Sequence, residues 1–216
     1  MTILDIKNAA HGVGNIIRYE GPHFLPWRVL MKLVRPFGLL RMQTYYQRDL
    51  TRPLCEYKAK TDLVVARAEE EDIEQLEFIF LEQYGQKNSP NFSQSTKERI
   101  CSQERKNDYC FLGKIGKTAV HYNWALILDQ GEAYTHDAYT LKEWRGKGIH
   151  TAVQNEMLRF LKEAGCQRAT ADMGTHNISS RKAHDRLGWK ETETEIVFIP
   201  RWKKKRLRLR IRGAAP

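Results

Sequence analysis

The chain predicts an α+β fold, a mixed and mostly antiparallel central sheet flanked by helices. Three observations carry this. Apolar runs of strand length recur between Leu63 and Met173. Glycine-marked turns at Gly116-Lys117 and Gly131 separate three of those runs in succession, as antiparallel neighbours require. The stretches Ile73–Phe80 and Ile149–Ala164 repeat their apolar residues at helical spacing instead.

In order, Leu63-Val64-Val65-Ala66-Arg67 is a short apolar strand, and Glu69 to Asp72 place acids where the positive end of a helix favours them. Ile73, Leu76, Ile79 and Phe80 make one helical face. After a loop from Gly85 to Phe92, Ser95 and Glu98 suggest a capping box opening a second helix to about Arg105. Tyr109–Ile115, Ala119–Leu128 and Glu132–Thr140 read as three strands. The helix from Ile149 sets Ile149, Val153, Met157, Phe160, Leu161 and Ala164 on an apolar face and Gln154, Glu156, Arg159, Lys162 and Glu163 on a polar one before Gly165 ends it. A strand at Ala169–Met173, a short helix at Ser179–Leu187 and Gly188-Trp189 follow.

Composition sets the bounds. At 216 residues and 41% hydrophobic, the chain fills one core and is short for two ordinary domains. With 14 Gly, 7 Pro and 10% aromatics it is neither collagen-like nor wholly disordered. No run approaches the roughly 18 apolar residues of a membrane span. Asp5, Lys7, Asn8, His11 and Arg18 interrupt any leader-like start, so a cytoplasmic protein is expected. Cys55, Cys101, Cys110 and Cys166 are scattered, which suits reduced thiols.

The formal charge of +10 is uneven: +6 over residues 1–60, −4 over 61–200 and +8 over 201–212. This divides the chain into a basic, partly amphipathic extension (1–60), a central domain (61–200) and a basic strand or tail (201–216). Leu207, Leu209 and Ile211 alternate with arginines, as in a last strand with one apolar face. Between Trp27 and Tyr46, Leu30, Leu33, Val34 and Phe37 form an apolar helical stripe beside Arg28, Lys32 and Arg35, although Pro36 and Gly38 break a straight helix. An interfacial segment on anionic lipid and an extra helix packed on the domain both fit. Nothing in the tail reads bases, so nucleic acid is not an expected partner. The oligomeric state is open.

The informative stretch is Trp144-Arg145-Gly146-Lys147-Gly148-Ile149-His150, between a strand and a strong helix. Glycines there let backbone N–H groups approach an anion at the helix start, and a pyrophosphate is the natural guest. The spacing is neither a Rossmann fingerprint nor a P-loop. Together with Asn177, Ser180 and Leu187-Gly188-Trp189, it resembles the GNAT superfamily of acyl-CoA-dependent N-acetyltransferases over about Leu63 to Pro200.

The resemblance implies a sheet splayed between the fourth and fifth strands of the domain, with acetyl-CoA or another acyl-CoA in the opening. Tyr139 and Thr140 would offer main-chain hydrogen bonds to the pantetheine. Arg145, Gly146, Lys147, Gly148, Ile149 and His150 would hold the pyrophosphate, and Asn177 and Ser180 would flank the cofactor arm. It also implies direct acyl transfer to a primary amine of a small molecule, amino sugar or amino acid, with acceptor loops at 84–95 and 190–200. A longer acyl donor or an acyl carrier protein at a membrane surface is an alternative. A CoA-binding module without turnover is another.

For catalysis, His136 sits where some family members carry a catalytic base, Tyr134 shares its face, and Asp137 and Glu132 are alternatives. The family's usual Tyr acid is replaced by His184, and its usual Gly or Ala by His150, whose side chain must then point away from the phosphates or touch them. His121, His136, His150, His176 and His184 lack metal-ligand spacing, so no metal is expected.

Overall fold

The computed structural model describes residues 33, 36, 38–85, 92–175, 177–200 and 207–212. These fall into two compact units, Gln47–Ala171 with Ala183–Lys190, and a smaller one made from the flanking segments.

In the larger unit, β2 (Leu63–Arg67), β3 (Asp108–Ile115), β4 (Thr118–Ile127) and β5 (Glu132–Thr140) are successive antiparallel neighbours. The first part of β6 (Arg168–Gly174) joins β5 in parallel, from Glu132↔Arg168 to Thr135↔Ala171. A mixed, mostly antiparallel sheet is therefore what forms. Beyond Thr135, β5 runs on to Thr140 after its last pair with β6.

β4 is buried from Ala119 through Ala125 because helices cover both its faces. On one face, Phe80 of α1 (Ile73–Tyr84) meets Tyr122 with ring centroids 4.6 Å apart. On the other, α4 (Ile149–Glu163) brings Phe160 to 4.9 Å from Tyr109 and 5.3 Å from Phe111. Alternate residues of each strand thus serve opposite helices. The acids before α1 act as expected: the Asp72 carboxylate accepts the Glu69 N–H at 3.2 Å and pairs with Lys114 at 2.6 Å.

Two local readings change. The helix expected to open at Ser95 begins at Phe92 as α2 (Phe92–Cys101), and a separate turn, α3 (Gln103–Lys106), follows. Ser95 lies inside α2, while the Ser102 hydroxyl folds back on the Glu98 carbonyl where α2 ends. The amphipathic stretch from Trp27 is a strand in its second half, β1 (Gly38–Asp49). Apart from positions 33 and 36, its first half lies outside the described residues, as do 86–91 of the proposed acceptor loop and 201–206 of the tail.

In the smaller unit the Met42 carbonyl of β1 accepts the Thr175 N–H at 3.2 Å, and Gln43 donates to Asp172 at 2.9 Å. The expected acceptor loop 190–200 is instead a strand, β7 (Lys190–Pro200), because β8 (Leu207–Arg212) pairs antiparallel along it. Arg210 binds Glu195 at 3.2 Å and Glu193 at 3.4 Å. The last strand is where the alternation placed it, but Leu209 is 59% exposed, so this residue of its apolar row is not buried.

The approach of α4 to the sheet depends on Gly113. A Cβ there would lie 2.9 Å from Val153 Cγ2 and 3.2 Å from both Ile149 Cγ2 and Leu63 Cδ1. Gly113→Ala is expected to cost about 1–3 kcal/mol through overpacking. A thermal melt should then show Tm lowered by several degrees, and an unchanged Tm would contradict this packing.

Candidate functional site

The turn between β5 and α4 is built to expose backbone. Gly146 and Gly148 both have φ of 79°, and Gly148 is the N-cap of a 15-residue helix. No side chain caps that end and no acid occupies its first turn. The first amides of α4 have no intrahelical acceptor and carry the positive end of its dipole, which suits an anion. The cations beside them are held on aromatic faces: Arg145 lies 4.9 Å from the Tyr139 ring centroid, and Lys147 Nζ 3.9 Å from that of Trp144. Arg145 Nε also donates to the Thr140 carbonyl at 3.1 Å, which occupies one of the main-chain groups expected to meet the pantetheine. Tyr139 Oη and the Lys142 N–H converge on Glu82 at 3.1 and 2.9 Å, tying the turn to α1.

β5 carries the titratable residues. Its register against β4 shifts between Trp124↔His136 and Tyr122↔Tyr139, a bulge at Asp137 and Ala138, and Asp137 has φ of 44°. The bulge puts His136 and Tyr139 on the same face, which period-two reading does not foresee. Tyr134 stacks on His136 at 5.5 Å, as that reading did foresee for residues before the bulge.

His136 Nε2 is 3.1 Å from Asp108 Oδ1, and its Nδ1 is 3.3 Å from Asp137 Oδ2. Arg99 completes the group, 3.0 Å from Asp108 and 3.8 Å over the Trp124 ring. Burial by itself would depress the imidazole, but hydrogen bonds to Asp108 and Asp137, with their charges, outweigh it and raise His136 to about 9. For Asp108, burial is outweighed by hydrogen bonds from His136 and Arg99, so its pKa is lowered. The bond from His136 likewise lowers Asp137. At neutral pH this is an imidazolium between two carboxylates, not a free base. Asp137 is 51% exposed and also lies 3.9 Å from Arg99. Asp108 and Arg99 were not found from sequence; no local spacing marks residues that meet His136 only through the sheet.

Three further histidines stack inside the same unit. His121 lies 5.2 Å from His150 and His150 6.3 Å from His184, by ring centroids. The His150 ring, half-buried with its Nε2 enclosed, thus lies between those of His121 (edge-on) and His184 (tilted). His184 is 3% exposed, 3.1 Å from Gln154 Nε2 and 4.8 Å from the Trp189 ring. His184 is thus enclosed, and Gln154, expected on the polar face of α4, is itself 1% exposed because it packs against this ring. Among the described residues, no three His, Cys, Asp or Glu are arranged to hold a metal ion.

Residues 67–189 match the Acetyltransferase (GNAT) family. The chain belongs to that family. A relative, aminoglycoside N(6')-acetyltransferase type 1 from Stenotrophomonas maltophilia, is 27% identical over 28% of this chain and 39% of its own length. An uncharacterized N-acetyltransferase from Methanocaldococcus jannaschii is 29% identical over 37% of this chain and 35% of its own. The chain thus spans little more than a third of either curated relative. Among solved structures, AAC(6')-Iy, bound to the bisubstrate analog CoA-S-monomethyl-acetylneamine, has a TM-score of 0.52 at 16% identity. That likeness covers 61% of this chain and 92% of the other, and it concerns the fold. No helix among the described residues is long and apolar enough to cross a membrane.

Within this GNAT chain, His136, Asp137, Tyr139, Thr140, Arg145 to His150 and His184 all belong to the larger unit, and Asn177 and Ser180 to the smaller. There Asn177 Oδ1 accepts the Ser180 N–H at 3.2 Å, capping α5 (Ile178–Arg186). Its carboxamide oxygen thus has a structural duty at the place expected to flank the cofactor arm.

The buried histidines set the acid stability. Burial, then the charge of His184, pushes His150 down to about 3, and burial, then His150, holds His121 well below 6.5. Unfolded, each takes up a proton near 6.5; folded, each resists it. Their contribution to stability is therefore complete above about pH 6.5 and is lost as pH falls below it. Each histidine should weaken folding by up to about tenfold per pH unit. His150→Leu should flatten the fall in Tm between pH 7.5 and 5, and a wild-type Tm flat over that range would contradict the neutral cluster.

Proposed function

We propose that the larger unit is an N-acyltransferase site that moves an acyl group, acetyl first, from acyl-CoA to a primary amine of a small molecule, by direct attack with both substrates bound. The observation that carries this reading is the uncapped, acid-free start of α4 behind two positive-φ glycines. It lies directly after a strand whose last residues extend beyond their β6 partner. The first feature suits a diphosphate, and the second offers backbone to the amides of a pantetheine arm. An amino sugar is the favoured acceptor class, because one relative is named for aminoglycosides. Asp137, half exposed on the bulge, gives a cationic amine a counter-charge.

Acyl-CoA supplies the activated thioester carbonyl. The amine lone pair forms the C–N bond while the C–S bond breaks, the sulfur departs as thiolate, and the amine proton goes to a base. Of the groups on this face, His136 is the one we assign to that proton. Asp108 holds its Nε2 and Asp137 its Nδ1, so it accepts a proton from the amine only after losing its own, near pH 9. A thiol with a pKa of about 8.5 leaves without a dedicated acid, consistent with the burial of His184.

Two measurements test this. Thermal stability against CoA, acetyl-CoA and longer acyl-CoAs should show a clear rise, about 2.7 kcal/mol at 100 times Kd. No response to any of them would remove the acyl-CoA reading, and a preference for long chains would change the donor. With an amino-sugar acceptor, kcat/KM should climb with pH toward 9. His136→Ala should lower it by about 10²–10³-fold. Asp108→Asn should move the acid limb to lower pH by removing a carboxylate that favours the imidazolium. A limb that stays in place in both variants would overturn the assignment of His136.

A further inference from the structure

The segment between β1 and β2 lies ahead of the family match, which starts at residue 67. It is nevertheless bonded near both ends of α4, to Lys162 and to the turn that precedes the helix. Near the C-terminal end of the helix, Lys162 Nζ donates to the Arg52 carbonyl at 3.0 Å, and Arg48 Nη2 donates to the Pro53 carbonyl at 2.8 Å. At the other end, the Lys60 N–H donates to the Lys147 carbonyl at 3.0 Å. From Lys147 to Lys162 the chain advances about 22 Å if helical throughout, and Arg52 to Lys60 reaches at most about 29 Å. The segment is thus long enough to run from one end of the helix to the other.

Its far end meets the glycine turn twice. Tyr57 occupies the volume where a side chain on Gly148 would go: a Cβ there would lie 2.5 Å from Tyr57 Oη and 3.3 Å from two ring carbons. The Lys60 bond fixes the peptide joining Lys147 to Gly148. In a trans peptide the C=O and N–H point in opposite directions. Holding the Lys147 carbonyl toward the segment therefore aims the Gly148 N–H away from it. Lys58 and Lys60 are exposed beside the turn.

We propose that residues 51–62 form a strap that pre-sets the diphosphate-binding turn, with the Lys60 backbone N–H and the Tyr57 ring as the positioning groups. This rests on the acyl-CoA reading above. The strap touches the turn and not the reacting carbonyl, so its effect belongs to nucleotide binding and not to the chemical step.

The test compares Lys60→Pro, which deletes the N–H, with Lys60→Ala, which keeps it, and adds Tyr57→Leu. CoA affinity is read by titration calorimetry. Turnover is read with acetyl-CoA and with acetyl-pantetheine, which lacks the diphosphate. Lys60→Pro and Tyr57→Leu are expected to weaken CoA about tenfold, the scale of one hydrogen bond. Lys60→Ala should stay within about twofold, the loss of one exposed charge. KM for acetyl-CoA should rise with kcat unchanged, and acetyl-pantetheine turnover should be unaffected in all three. CoA binding at the wild-type level in both Lys60→Pro and Tyr57→Leu would overturn the strap. So would an equal loss with both thioesters, which would signal general damage to the fold. A wild-type protein indifferent to CoA would instead overturn the acyl-CoA reading, and the strap with it.

Discussion

The seating of α4 on β3 is the constraint from which the site follows. Gly113 leaves room for Ile149 and Val153 to sit directly against the strand, and Phe160 fills between Tyr109 and Phe111 one turn before the helix ends. Because a helix is stiff over 15 residues, fixing its underside also fixes where its first amides point. The glycine turn, the aromatic-backed cations and the strap all take their places from that one contact surface. Leu158 and Leu161, fully buried, complete it, so the glycine turn leads into a helix with a firmly buried underside.

Much of this was legible in the chain. β2 and β5 begin and end where alternation and glycine placed them, and the glycine turn announced the start of α4. What failed was local signal set against tertiary demand. Ser95 offers a good cap, yet the helix starts a turn earlier, at Phe92. The stripe from Leu30 to Phe37 has helical spacing, but it precedes a stretch that becomes a strand at Gly38, and pairing with distant partners decides that choice. The Asp137 bulge has no signature, since any one-residue insertion in a ladder depends on the neighbouring strand.

The candidate site divides the same way. The backbone geometry of the turn was readable because glycine content and helix onset are properties of contiguous residues. The side-chain surroundings were less so. His136 could be singled out, but its charge state is fixed by Asp108, 28 residues away on β3. His184 looked like a replacement acid by position and is enclosed by Gln154 and Trp189. Asn177 looked like a ligand and serves as a cap. A sequence position tells which residue is near the chemistry; only the packing tells which proton it keeps.

Gly148 is constrained twice over, by its φ of 79° and by the Tyr57 ring standing where its Cβ would be. The two constraints are not symmetric. A smaller residue at 57 would open space for a Cβ at 148 but would do nothing for the backbone angle, which still calls for glycine. A different segment ahead of β2 would leave the two positive-φ glycines in place but remove the Lys60 and Tyr57 contacts, so the turn would keep its shape-permitting residues and lose what holds them.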